Sequence, residues 1–189
     1  MTDRDQVDEV FALFTAGGSS SYDEAVTMTE HCIQTAALGI VADADPELVA
    51  AALLHDIGHF LLADSRESED FLQPDWDHDQ VGAVWLRPRF GERVADAVGS
   101  HVDAKRYLCA VEPGYHSMLS EASKASLEIQ GGPFSPVEAQ VFAALPGAAD
   151  AVSVRRWDDD GKVAGLSIPD LADFRPMLLA VAREAASAR

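Results

Sequence analysis

The chain has 189 residues, 48% of them hydrophobic, enough to bury one sizeable core. Fourteen basic residues against 32 acidic ones give a formal net charge of −18, which argues against a nucleic-acid partner. Two cysteines, Cys32 and Cys109, make no disulfide framework. The N-terminus lacks the basic and apolar regions of a signal peptide, and no uninterrupted apolar run of about 18 residues is present to span a membrane, so a cytoplasmic globular protein is expected.

Helical periods dominate from the start. Val7, Val10, Phe11, Leu13 and Phe14 recur at three- and four-residue steps and predict an amphipathic first helix ending at Gly17-Gly18. Ser19 to Ser21 form a loop, and a second helix runs to about Leu38. Asp45-Pro46 reads as an N-cap with proline at the first helical position, opening an apolar helix that carries His55-Asp56 and is stopped by Gly58. Residues 60–77 read as a polar excursion. His78 then opens a helix with Val81, Val84 and Trp85 on its apolar side, and Glu92 to Leu108 makes the next. Ser117 to Gln130 is predicted helical, and Ser135-Pro136-Val137-Glu138 is a capping box. A helix over about Ala148 to Trp157 is closed by Asp158-Asp159-Asp160-Gly161, and residues 169–186 supply a C-terminal helix. No strand alternation, internal repeat or linker is evident. The expected architecture is all-α, a single helical-bundle domain over residues 1–189.

Burying the adjacent polar pair His55-Asp56 in apolar company costs several kcal/mol unless something compensates it. A divalent metal is the natural compensator, because neutral imidazole and carboxylate are both good ligands. His31, His78 and His101 stand at steps of 24, 23 and 23 residues around His55, each on its own predicted helix. Helical bundles build dinuclear sites from inward-facing side chains in this manner.

The pattern His31…His55-Asp56…His78…His101…Asp resembles the HD-domain superfamily, named for that pair. The two further histidines resemble its dinuclear members. His-Asp-Ile-Gly-His at 55–59, Ser100 to Leu108 and Arg155-Arg156-Trp157-Asp158-Asp159 are similar to its mixed-valent diiron oxygenase branch, the organophosphonate-cleaving dioxygenases. The resemblance covers about residues 20–160. It implies that His31, His55, Asp56 and a late aspartate hold one iron, and that Asp56, His78 and His101 hold the other, as an Fe(II)/Fe(III) pair with O2 as co-substrate. Asp158 is the preferred late aspartate because it follows Arg155-Arg156-Trp157. Asp150 is its rival on the same helical face, and spacing does not decide between them.

The resemblance also implies a small organophosphonate as the partner. Lys105, one helical turn beyond His101, and Arg155 supply two cations, and His59, Ser123, Ser126 and Gln130 supply donors around a phosphonate. Glu24 would meet an amino or trimethylammonium group, and Tyr22, alone or with His59, would gate an iron position. Tyr22 stands two residues before Glu24, where the resemblance leads one to expect three. The implied reaction is oxidative C–P cleavage of a 1-hydroxy-2-aminoethylphosphonate or its trimethylammonium analogue to phosphate and glycine or glycine betaine. Two alternatives come from other classes. One is a metal-dependent phosphohydrolase acting on a nucleotide or phosphate ester, and the other is a regulatory helical domain that keeps a metal for folding alone.

Overall fold

A computed structural model describes residues 2–21, 26–64 and 77–188, and its regular elements are helices. Helix α1 (Asp3–Gly17) is capped by Thr2, whose hydroxyl accepts from the Asp5 amide, and buries Val7, Val10 and Phe14. Helix α2 (Met28–Val41) opens on Thr27 with Glu30 closing a capping box, and runs past the expected end at Leu38. Helix α3 (Pro46–Leu54) begins as predicted, with the Asp45 side chain accepting from the Leu48 amide.

The end of α3 differs from the expectation. The helix stops at Leu54, His55 and Asp56 form a turn, and the chain restarts at once as α4 (Ile57–Asp64). Gly58 is therefore not a stop. A Cβ there would lie 1.8 Å from the His78 carbonyl oxygen, so its lack of a side chain admits a neighbouring backbone. Helix α4 also takes up the first part of the expected polar excursion. Fully burying Leu53, Leu54 and Ile57 around the turn is worth roughly 1.5–3 kcal/mol each, which helps offset the polar pair between them. The stretch Pro46–Ala63 has the length and composition of a membrane span, with a hydropathy of 1.2, yet 61% of it is buried within the fold.

Helix α5 (His78–Phe90) buries His78, Gly82, Ala83, Leu86 and Phe90. Val84, expected on its apolar side, is 73% exposed. Gly91, at φ 90°, makes the turn into α6 (Glu92–Gly99). The single helix expected over 92–108 is broken at Ser100, so His101 is the first residue of α7 (His101–Val111). The helix expected over 117–130 is likewise two: α8 (Tyr115–Met118) and α9 (Glu121–Ile129), separated by an extended Leu119 and an N-capping Ser120. Helix α10 (Pro136–Ala143) carries the predicted capping box. Helix α11 (Ala148–Asp160) continues past Trp157, which puts Asp158 on its last turn. A 3-10 turn (Leu171–Phe174) leads into α12 (Arg175–Ser187).

The main core gathers Leu53, Leu54, Ile57, Leu86, Phe90 and Val94 with Leu178 and Val181 of α12. Smaller clusters surround Phe142 and Ala151, and Leu108, Tyr115 and Leu127. The polar turn at 55–56 faces inward, toward α2, α5, α7 and α11.

Candidate metal centre

Five elements deliver the six expected ligands. His31 comes from the first half of α2, His55 and Asp56 from the turn after α3, His78 and His101 from the first positions of α5 and α7, and Asp158 from the end of α11. All six are buried. The Nε2 atoms of His31 and His55 lie 3.1 Å apart, and those of His78 and His101 3.2 Å apart. Asp56 stands between the pairs. Its Oδ2 is 3.3 Å from His55 Nε2 and 3.6 Å from His31 Nε2. Its Oδ1 is 3.6 Å from His78 Nε2 and 3.8 Å from His101 Nε2. Two groups able to hold a metal ion result, His31-His55-Asp56 and Asp56-His78-His101, with Asp56 common to both.

Hydrogen bonds fix which nitrogen faces inward. His31 Nδ1 lies 2.9 Å from the Gly161 carbonyl, His55 Nδ1 2.9 Å from that of Ala52, and His101 Nδ1 2.6 Å from that of Val98. A carbonyl only accepts, so each Nδ1 carries a proton and each neutral ring turns a lone pair inward at Nε2. Two such lone pairs 3.1 Å apart, as in His31 and His55, repel unless a positive charge lies between them. Two nitrogens about 2.1 Å from one ion and at right angles would stand about 3.0 Å apart. The donor set therefore fits metal ions. Asp56 Oδ2 adds a second sign, being buried with no hydrogen-bond partner among the described residues.

The electrostatics agree. Burial by itself would raise Asp56, but His55, His59 and His78 around it hold its carboxyl well below the ordinary value. Burial opposes the ionisation of Asp158 as well, and Arg155 and Lys162 overcome it. Burial, then His78 and His55, push His101 down to about 3, keeping it neutral and ligand-ready at pH 7. Burial also lowers His55, but the carboxylates of Asp56 and Asp158 outweigh it and raise this histidine on balance.

Geometry separates the two aspartates that spacing left tied. Asp158 Oδ1 lies 3.3 Å from His31 Nε2. Asp150 instead joins Asp45 and Glu47 around Arg93, with 2.8 Å from Arg93 Nε to Asp150 Oδ2.

Of the expected substrate contacts, His59 and Arg155 lie against this cluster, while Lys105 on α7 meets α9, which carries Ser123 and Ser126. Lys105 is buried, and its Nζ donates to Ser126 Oγ at 2.8 Å. Ser123 is buried beside it on α9 and meets Ser120 Oγ at 3.1 Å. Gln130 caps the same helix with its Oε1 buried and without a partner among the described residues. His59, with 32% of its side chain exposed, is 3.8 Å from Asp56 and stacks on His78 with ring centroids 4.1 Å apart. Arg155 is buried, and its Nη1 donates to Asp158 Oδ2 at 2.6 Å. Tyr22 and Glu24 lie outside the described residues.

Several neighbours of the site carried no role in the sequence reading. Lys162 Nζ is 3.3 Å from Asp158 Oδ1, Asp159 accepts from Arg155, and Tyr115 reaches both Arg155 and Asp159. Lys162 and Asp159 each stand four residues beyond their partner, a helical signal available in the sequence. Tyr115 is 40 residues from Arg155, and no local pattern announces it. The Gly161 carbonyl that orients His31 carries no sequence signal either.

Comparison with known proteins follows the same lines. The family model described as "HD domain" matches residues 28–130. A hydroxymethylphosphonate dioxygenase of Gimesia maris is 46% identical over 92% of this chain and 86% of its own length. The [1-hydroxy-2-(trimethylamino)ethyl]phosphonate dioxygenase (glycine-betaine-forming) of Leisingera caerulea is 39% identical over 91% of this chain and 88% of its own. An uncharacterized protein of Acanthamoeba polyphaga mimivirus is 30% identical over 86% and 75% respectively.

Proposed function

The chain belongs to the HD-domain family, and from that premise we propose that it is a diiron dioxygenase cleaving the C–P bond of a 1-hydroxyphosphonate. The observation that carries the metal chemistry is the facing pair of His31 and His55 lone pairs, 3.1 Å apart, each ring tied through Nδ1 to a carbonyl. The names of the relatives from Gimesia maris and Leisingera caerulea support the phosphonate substrate and the use of dioxygen.

In this reading His31, His55, Asp56 and Asp158 hold one ion and Asp56, His78 and His101 the other, with Asp56 shared. The pair, Fe(II)/Fe(III), supplies when bound Lewis acidity toward the substrate hydroxyl and the electrons exchanged with dioxygen. The protein's own part is binding and charge. Lys105, held by Ser126, neutralises the phosphonate together with the two N–H donors that Arg155 has left over. Ser123 through its hydroxyl, Gln130 through its side-chain NH2 and His59 through its ring N–H donate to the remaining phosphonate oxygens. Tyr22 is assigned to gating and Glu24 to any ammonium substituent. The atoms balance as R–CH(OH)–PO3²⁻ + O2 → R–COOH + HPO4²⁻, so C1 is oxidised, dioxygen is reduced and both of its atoms remain in the products. Two unpaired cysteines support a reducing compartment, the cytoplasm.

The substituent R divides the two named relatives. The trimethylammonium substrate matches the role given to Glu24. Hydroxymethylphosphonate, which lacks any ammonium, matches the relative with 46% identity and is the first compound to test. The protein is loaded anaerobically with ferrous iron and given oxygen with hydroxymethylphosphonate, 2-amino-1-hydroxyethylphosphonate or its trimethylammonium analogue. One O2 consumed per phosphate released is expected for one of them. Phosphate release without oxygen uptake would make the protein a hydrolase and overturn the proposal.

A further inference from the structure

We propose that Tyr115 and Asp159 are positioning residues that act through Arg155 to aim the Asp158 carboxylate at its metal position. Three side chains form a closed ring at this place. Arg155 Nε donates to the Tyr115 hydroxyl at 3.2 Å. The Tyr115 hydroxyl donates to Asp159 Oδ2, and Asp159 Oδ1 accepts from Arg155 Nη2. One edge of the guanidinium is thereby fully occupied. The remaining nitrogen, Nη1, donates to Asp158 Oδ2 at 2.6 Å, which leaves Asp158 Oδ1 turned to His31 Nε2 and Lys162 Nζ, each at 3.3 Å.

The ring explains an otherwise unaccounted piece of the fold. Helix α8 has four residues, too short to be stable by itself. It packs Tyr115 against Leu108, Leu119 and Leu127, buried and with its hydroxyl aimed at Arg155. A buried guanidinium is costly wherever a donor goes unmatched, so removing the hydroxyl frees Arg155 to turn. The restraint on Asp158 Oδ2 is then loosened, and Oδ1 is directed by the Lys162 contact alone rather than by both oxygens being held. Groups that orient metal ligands are typically worth 10–100-fold in affinity. The inference rests on reading Asp158 as a metal ligand, and on nothing about substrate or dioxygen.

The test is an anaerobic titration of the metal-stripped full chain with ferrous iron, read as bound iron by equilibrium dialysis. The wild type is expected to bind two irons. Tyr115→Phe keeps the ring in its packing and is expected to bind one iron as the wild type does and the other about 10–100-fold more weakly. Asp159→Asn is expected to shift the same step, and serves if Tyr115→Phe does not fold. In the His101→Ala background, which retains only the position held by Asp158, Tyr115→Phe should weaken the sole remaining iron. Unchanged binding of both irons by both variants, equal weakening of both irons, or a wild type that binds fewer than two would each overturn the proposal. Normal iron binding with no oxygen uptake on any phosphonate would defeat the dioxygenase reading and leave this one standing.

Discussion

The backbone of His78 lies against Gly58, with the His78 carbonyl oxygen 1.8 Å from where a Cβ on Gly58 would stand. The first turn of α4, which follows Asp56, and the start of α5, which opens with His78, therefore meet without a side chain between them. That approach brings His78 Nε2 within 3.6 Å of Asp56. Gly58→Ala is expected to push the start of α5 away, destabilising the protein by roughly 1–3 kcal/mol through overpacking. It should also weaken the metal position held by His78 and His101 more than the one held by His31 and His55. Thermal denaturation with and without ferrous iron checks both effects.

Asp56 offers one oxygen to each histidine pair. Asp56→Asn is expected to bind neither ion at concentrations that saturate the wild type, whereas His101→Ala loses one ion and all turnover. Metal content after gel filtration measures the difference. One ion retained in Asp56→Asn would show that the carboxylate is not shared.

Lys105 sits in the interior with its ammonium on Ser126. Lys105→Ala is expected to keep both ions and raise KM for the phosphonate about 10- to 100-fold, the range for a hydrogen bond to a charged partner. An unchanged KM alongside full metal content would remove Lys105 from the substrate pocket.

Far from the site, Glu138 closes the capping box of α10. Hydrogen bonds from the Ser135 side chain and amide hold its carboxyl below the usual 4.5. A carboxyl depressed in the folded state binds fewer protons there than in the unfolded chain. Its contribution is thus fully present above about pH 4.5 and is lost as pH falls through the folded value. Urea midpoints of wild type and Glu138→Gln should differ by a constant amount at neutral pH and converge in acid. A gap that widened toward low pH would contradict the assignment.

How much of this was legible in the sequence depended on whether a signal was local. The four clustered histidines and Asp56 are legible because ligand-type side chains recur at steps of 23 and 24 residues beside apolar helical runs. The capping boxes could be read because both partners sit within four residues. Asp158 and Asp150 share a helical face, and what parts their surroundings is remote: Arg93, reaching from α6, pairs with Asp150, while His31 of α2 meets Asp158. A glycine after an apolar helical run locally signals a helix stop, whereas Gly58 admits the backbone of His78, 20 positions later. The breaks at Ser100 and Leu119 interrupt runs whose helical period continues across them. Tyr115 had no local mark, since its partners lie on α11.

His55 and Asp56 are neighbours in the chain, yet between them they serve both halves of the cluster. A substitution that tilts their turn must disturb the two halves together, so that turn is closed to gradual adjustment. Drift that retunes one half alone has to enter through α2 and α11 on one side or α5 and α7 on the other. The halves can thus diverge in metal affinity along separate routes while the turn between them stays fixed.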